Sequence, residues 1–157
     1  MRSNMLFGGV YGTVLASALL AALQSEGTPF TPVYDALWVL VTAATAALAH
    51  GYAHHMSTHR GDSAGHRWYA LGHRLIDEWP LVVASLPTVV LLLAAGGWGW
   101  PEGPTTAAGL ALNATLLFGW GTAAALRMGY RRRGAALIGV ADAALGLLIA
   151  VANALIK

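Results

Sequence analysis

The chain has 157 residues, 57% of them apolar and 10% charged, against roughly 25% charge in an ordinary soluble domain. So short a chain has too much surface for its volume to stay in water behind an uncharged exterior, which points to one membrane domain. There is no cysteine, which excludes disulfides and thiolate metal sites, and the net charge is only +2.

A membrane-spanning helix needs about 20 mostly apolar residues. The first candidate runs over 5–23 and reads as a retained helix. Its Ala21-Ala22 could mimic a signal-peptidase site, so four spans with the first removed is the alternative. A turn-rich stretch, 25–32, leads to the second span, 34–54. The third covers 80–98, the fourth 106–126 after the Pro- and Gly-punctuated 99–104, and the fifth 135–156. The expected fold is all-α, a polytopic bundle of five transmembrane helices.

Orientation follows from charge. Arg2, Arg60, Arg67, Arg74, Arg127, Arg131, Arg132 and Arg133 fall on one side of this map, and only Lys157 on the other. Basic residues are retained in the cytoplasm, so the N-terminus is expected inside and the C-terminus outside. Tyr34, Trp98 and Trp100 then mark the outer interface, and Trp68, Tyr69, Trp79 and Tyr130 the inner one. Arginine in place of lysine, with abundant Ala and Gly, suggests a GC-rich genome and a bacterial inner (plasma) membrane.

The longest connection, 55–79, carries Trp68, Leu71, Leu75 and Ile76 at helical spacing, with His66, Arg67, His73 and Arg74 between them. That pattern fits an amphipathic helix on the cytoplasmic leaflet or a downward extension of the third span. Arg74 and Glu78 are spaced to pair. Asp77-Glu78-Trp79-Pro80 reads as an ordinary helix start, and Pro87 should kink the third span. No internal repeat is evident.

Ionisable groups inside a span are costly and usually face protein or water. Asp142 is the clearest case, since its carboxylate must be protonated, paired or hydrated. Arg131, Asp142 and Asn153 share one helical face, with Gly139 and Gly146 beside it for close packing. The fourth span repeats the pattern with Thr106, Asn113, Trp120 and Arg127. The second has Asp35, Thr42, Ala46, His50 and His54. The bland reading of Asn113 and Asn153 is interhelical hydrogen bonding; for Asp142 it is a salt bridge to an arginine.

All six histidines lie between His50 and His73. His50 and His54 are one turn apart, as are His55 and His59, and such a pair can hold one metal ion. His50, His54 and Glu78 are the candidate ligands for a divalent metal, although no cofactor is required. An imidazole at the end of a span can also relay protons near neutral pH. His50, His54 and His55 resemble one histidine box of the membrane di-iron desaturases and hydroxylases, but those enzymes need several separated boxes and this chain has one region. Leu48-Ala49-His50-Gly51-Tyr52-Ala53, Glu78-Trp79-Pro80 and Gly146-Leu147-Leu148-Ile149 resemble a group of small hydrophobic membrane proteins of high-GC bacteria, a likeness that implies no activity.

There is no phosphate-binding glycine loop, nucleophile elbow or dinucleotide fingerprint. Arg131, Arg132 and Arg133 fit anionic lipid headgroups, so the bilayer rather than nucleic acid is the expected partner. The leading expectation is a small channel or transporter for protons or another small ion. Asp142, Asn113, Asn153, Thr42 and Asp35 would line its path, and His50 and His54 would form its inner gate. The pore would lie at a homo-oligomer axis or in each protomer's polar seam. A membrane enzyme or metal-binding protein built on the histidine cluster is the second expectation. A non-catalytic membrane subunit is the third.

Overall fold

The computed structural model describes residues 2–23, 29–58, 72–73 and 76–156, with backbone alone at 2–4, 153–154 and 156. Five long helices account for nearly all of it: α1 (Arg2–Leu23), α2 (Pro32–Thr58), α3 (Trp79–Trp98), α4 (Glu102–Arg127) and α5 (Arg132–Ile156). Each is long and apolar enough to cross a membrane. The spans expected from hydropathy coincide with them to within a few residues at either end. Most of the 55–79 connection, with His59, His66, Trp68, Tyr69 and the Arg74–Glu78 pair, lies outside the described residues.

The helix ends follow local chemistry. Gly99 takes φ 64° at the end of α3, where a left-handed residue lets the Trp100 amide return to the Ala95 carbonyl at 2.9 Å. Gly129 (φ 87°) does the same after α4, and the Tyr130 amide reaches the Ala125 carbonyl at 3.1 Å. The helix α3 runs unbroken through Pro87, because a single missing N–H can be tolerated where neighbouring helices support the backbone.

Small residues decide which helices meet. On α1, Gly8 and Gly12 form a Gly-x-x-x-Gly step that lets α3 approach closely. A methyl built on Gly8 would come within 2.8 Å of the Leu81 amide nitrogen, and one on Gly12 would strike the Leu81 carbonyl oxygen. The adjacent Gly9 serves a different neighbour, lying under the Trp120 ring of α4. On α5, Gly139 packs against Thr122 and Phe118, and Gly146 against Leu117 and Ala114, so α4 and α5 form the tightest pair in the bundle. Without water to drive apolar burial inside a bilayer, close backbone approach of this kind is what holds helices together.

The neighbour pattern has an approximate two-fold character. The parallel helices α1 and α3 pack on one another at the centre. Helix α2 packs chiefly on α3, and α4 packs on α1 as well as α5; the helices joined by short loops, α1–α2 and α3–α4, touch less. Exchanging α1 with α3 and α2 with α4 preserves this arrangement. Residues 31–51 and 101–121 alternate between buried, half-buried and exposed positions in the same order throughout. On the central pair, Gly12, Ala16, Ser17 and Leu20 correspond to Ala84, Thr88, Val89 and Leu92, all buried. The sequence reading found no repeat because the likeness lies in which positions are covered, not in residue identity: Ala43 matches Asn113, and Val39 matches Gly109.

Candidate functional site

Glu78 is the residue before α3, with α-region backbone (φ −88°, ψ −1°) and Pro80 in the first turn of the helix. Its carboxylate makes no capping bond to the amides above it, so the ordinary helix-start role read from Asp77-Glu78-Trp79-Pro80 does not use this side chain. It turns instead toward α2, where Oε1 stands 3.8 Å from His50 Nε2. Glu78 is only 11% exposed in its side chain, His50 42%. The two form an ion pair when the imidazole is protonated, and their juxtaposition follows from the packing of α2 against α3.

The other side of the imidazole is aromatic. Phe7 of α1 stacks on His50 at 5.1 Å between ring centroids, with 26° between planes, and Tyr11 follows at 6.5 Å. Phe7 and Tyr11 are themselves stacked at 5.8 Å, one helical turn apart. The imidazole thus stands between a carboxylate on one side and stacked ring faces on the other. Neither Phe7 nor Tyr11 was marked by the sequence reading. Their spacing of four on α1 was visible, but nothing in the chain said that α1 would lie beside His50.

Above Glu78 on α3 come Ser85 and Thr88, both fully buried, at about 10 and 15 Å along the axis for 1.5 Å per residue. Thr88 Oγ1 donates to Asn113 Oδ1 at 2.8 Å and so joins α3 to α4. Asn113 is fully buried, and its Nδ2 has no hydrogen-bond partner among the described residues. Further along α4 in the same direction lie buried Thr106 and Thr105, with Glu102 at the helix start. Thr13 and Ser17 on α1 are also fully buried. Most of these hydroxyls donate to their own helix: Thr13 to Gly9 O, Ser17 to Thr13 O, Ser85 to Val82 O and Thr106 to Glu102 O, at 2.7–3.0 Å.

The other expected residues are more scattered. Asp35 is buried in the first turn of α2, near the end of the bundle opposite His50. Thr42 and His50 are half-buried, and His54 is exposed. The buried face of α2 is Asp35, Ala36, Val39, Ala43, Ala47, Gly51 and His55, so of the polar stripe read from the sequence Asp35 lies on the packed face while Thr42, Ala46, His50 and His54 flank it. Helix α2 is not among the principal neighbours of α4 or α5, so the three stripes do not converge on one seam within the protomer. Asp142 is half-buried and lies against Gly121 of α4, where even a methyl group would collide with its carboxylate. It forms no ion pair or hydrogen bond among the described residues, so the expected pairing with an arginine does not occur there. Asn153 lies on α5 with its side chain outside the described residues, and Arg131, Arg132 and Arg133 are exposed at the start of α5.

Among the described residues no three His, Asp or Glu side chains stand close enough to share a metal ion. His50 and Glu78 approach one another, but the expected set of His50, His54 and Glu78 does not assemble as a triad. Comparison with known families, curated proteins and solved structures finds no match. The geometry therefore carries the functional argument by itself.

Proposed function

We propose that this is a small multi-pass channel or transporter for protons or another small cation, set in a bacterial inner membrane with the arginine-bearing end toward the cytoplasm. The His50–Glu78 pair is its inner entrance. The path continues along the α3–α4 seam through Ser85, Thr88 and Asn113 to Thr106 and Glu102. The observation that carries this reading is the Glu78 carboxylate, largely buried and unused as a helix cap, held 3.8 Å from a titratable imidazole at the foot of a buried polar ladder. Ionisable groups kept at that depth are expensive, and they commonly mark proton or ion routes. The gaps between rungs are bridged by water, and the open Nδ2 of Asn113 is a ready donor to it. Assembly of several copies would shield the bundle's flanks without altering this path.

Proton and cation flux into proteoliposomes across a pH step tests the reading, comparing wild type with Glu78→Gln and Asp142→Asn. Loss of flux in Glu78→Gln with retention in Asp142→Asn supports the ladder. Loss only in Asp142→Asn moves the path to the α4–α5 seam. Absence of flux from folded, inserted wild type overturns the channel reading.

One observation favours a second reading, a non-conducting membrane subunit. The hydroxyls of Thr13, Ser17 and Ser85 are already satisfied by carbonyls of their own helices, as in a dry, packed seam. In that case substitution along the ladder lowers stability and changes nothing else.

A further inference from the structure

On the opposite flank of the central pair, a groove of about 380 Å³ opens between the His50-proximal ends of α1, α3 and α4. Met5, Trp79, Pro80, Val83 and Trp120 form its apolar walls, and Ile76 and Asp77 stand at its mouth. It occupies the position that the approximate two-fold assigns to the His50 site. Trp79 and Val83 correspond to Phe7 and Tyr11, and Trp120 to His50. The half that lacks the imidazole and the carboxylate thus has an apolar slot in their place.

We propose that this groove binds the upper acyl chain of a phospholipid whose headgroup bears a primary amine, as in phosphatidylethanolamine. The volume falls within the range of about 300–1,000 Å³ typical of ligand sites, and its lining is almost wholly apolar, as such sites are. Exposed Trp79 and Tyr130 at the same end of the bundle place the mouth at the depth where amphipathic rings meet lipid headgroups. A carboxylate lines the groove, and a guanidinium is exposed on the helix that carries Trp120. Asp77 is half-buried with no ion pair among the described residues, and exposed Arg127 lies one heptad beyond Trp120 on the same face of α4. An acid and a guanidinium match the ammonium and phosphate of a zwitterion. A primary ammonium can donate hydrogen bonds to Asp77, which the quaternary group of phosphatidylcholine cannot do. The purely anionic phosphatidylglycerol meets repulsion from Asp77.

The test is native mass spectrometry of full-length protein released from bilayers holding equal amounts of phosphatidylethanolamine, phosphatidylcholine and phosphatidylglycerol. Wild type should retain phosphatidylethanolamine about fivefold over phosphatidylcholine, the preference expected of one net hydrogen bond. Asp77→Ala, which removes the acceptor, should erase that preference while total bound lipid stays unchanged. Val83→Trp, which fills the slot from an exposed position, should lose the retained lipid while melting like wild type. Equal retention of the three lipids by wild type overturns the proposal, as does undiminished retention by Val83→Trp. Wild type that keeps no lipid also overturns it, and would mean that another part of the chain fills the groove.

Discussion

Thr88 and Asn113 are joined across α3 and α4 by a single hydrogen bond of 2.8 Å, both side chains fully buried. The bond uses the amide oxygen and leaves the amide nitrogen without a partner. Replacing Thr88 by Val keeps the shape and removes the only bond that the Asn113 side chain makes among the described residues. Thr88→Val should therefore lower stability by about 1–2 kcal/mol, the range for a buried amide left unsatisfied. Asn113→Leu combined with Thr88→Val should cost less than the two single changes together, with a coupling of about 0.6–1.7 kcal/mol. Reversible unfolding in mixed micelles, run as a double-mutant cycle, measures it. Strict additivity would mean that the bond contributes nothing.

The contact of Gly121 with Asp142 makes a paired prediction. Gly121→Ala drives a methyl into the Asp142 carboxylate and should separate α4 from α5. Asp142→Ala removes the colliding atoms but keeps its Cβ, which a Cβ on residue 121 would meet at 3.1 Å. The double variant should recover most of the stability lost in Gly121→Ala. Thermal unfolding followed by circular dichroism reads both changes, and a double variant no more stable than Gly121→Ala would contradict the contact.

Two glycines on different helices should respond in opposite directions. Gly12 faces the Leu81 backbone, which cannot yield as a side-chain tip can, so Gly12→Ala should destabilise by about 1–3 kcal/mol. Gly119 lies inside α4 with open space where a Cβ would go. Gly119→Ala should leave stability unchanged or raise it by up to about 1 kcal/mol through helix propensity. The same unfolding assay compares them, and equal effects would remove the argument from close approach.

Phe7 and Tyr11 support His50 but carry no charge. If they position the imidazole against Glu78, Phe7→Leu should reduce proton flux without abolishing it, and Phe7→Tyr should restore it. Bundle stability should fall little, because Phe7 is about half exposed. Glu78→Gln should reduce flux to the level of empty liposomes. Wild-type flux in Glu78→Gln would remove the pair from the path.

Much of the fold was legible because hydropathy and length are sufficient to locate helices that cross a bilayer. The helix faces were less legible. In α2 Asp35, Thr42, Ala46, His50 and His54 were read as one stripe, yet of these Asp35 alone is buried with Ala36, Val39, Ala43 and Ala47. Small size, rather than polarity, selects the interface when the solvent is hydrocarbon. The Gly8–Gly12 step was present in the chain and says that α1 is central; it was passed over because it carries no chemistry. Asn113 was singled out, but Thr88 was not, because pairing across helices depends on neighbours that no periodicity reveals. Glu78 and His50 were grouped, with His54, as candidate metal ligands, and these two do approach one another.

The correspondence between α1–α2 and α3–α4 gives most positions an internal control. Gly51 and Gly121 occupy matching places, and both are buried glycines. His50 and Trp120 also match, yet they share neither charge nor size, so the scaffold leaves that position open. Phe7 and Trp79 are both aromatic, whereas Tyr11 and Val83 are not alike. Such a molecule can specialise its halves independently, keeping an imidazole–carboxylate pair in one and an apolar slot in the other. Exchanging residues between the two would show which half tolerates the other's role.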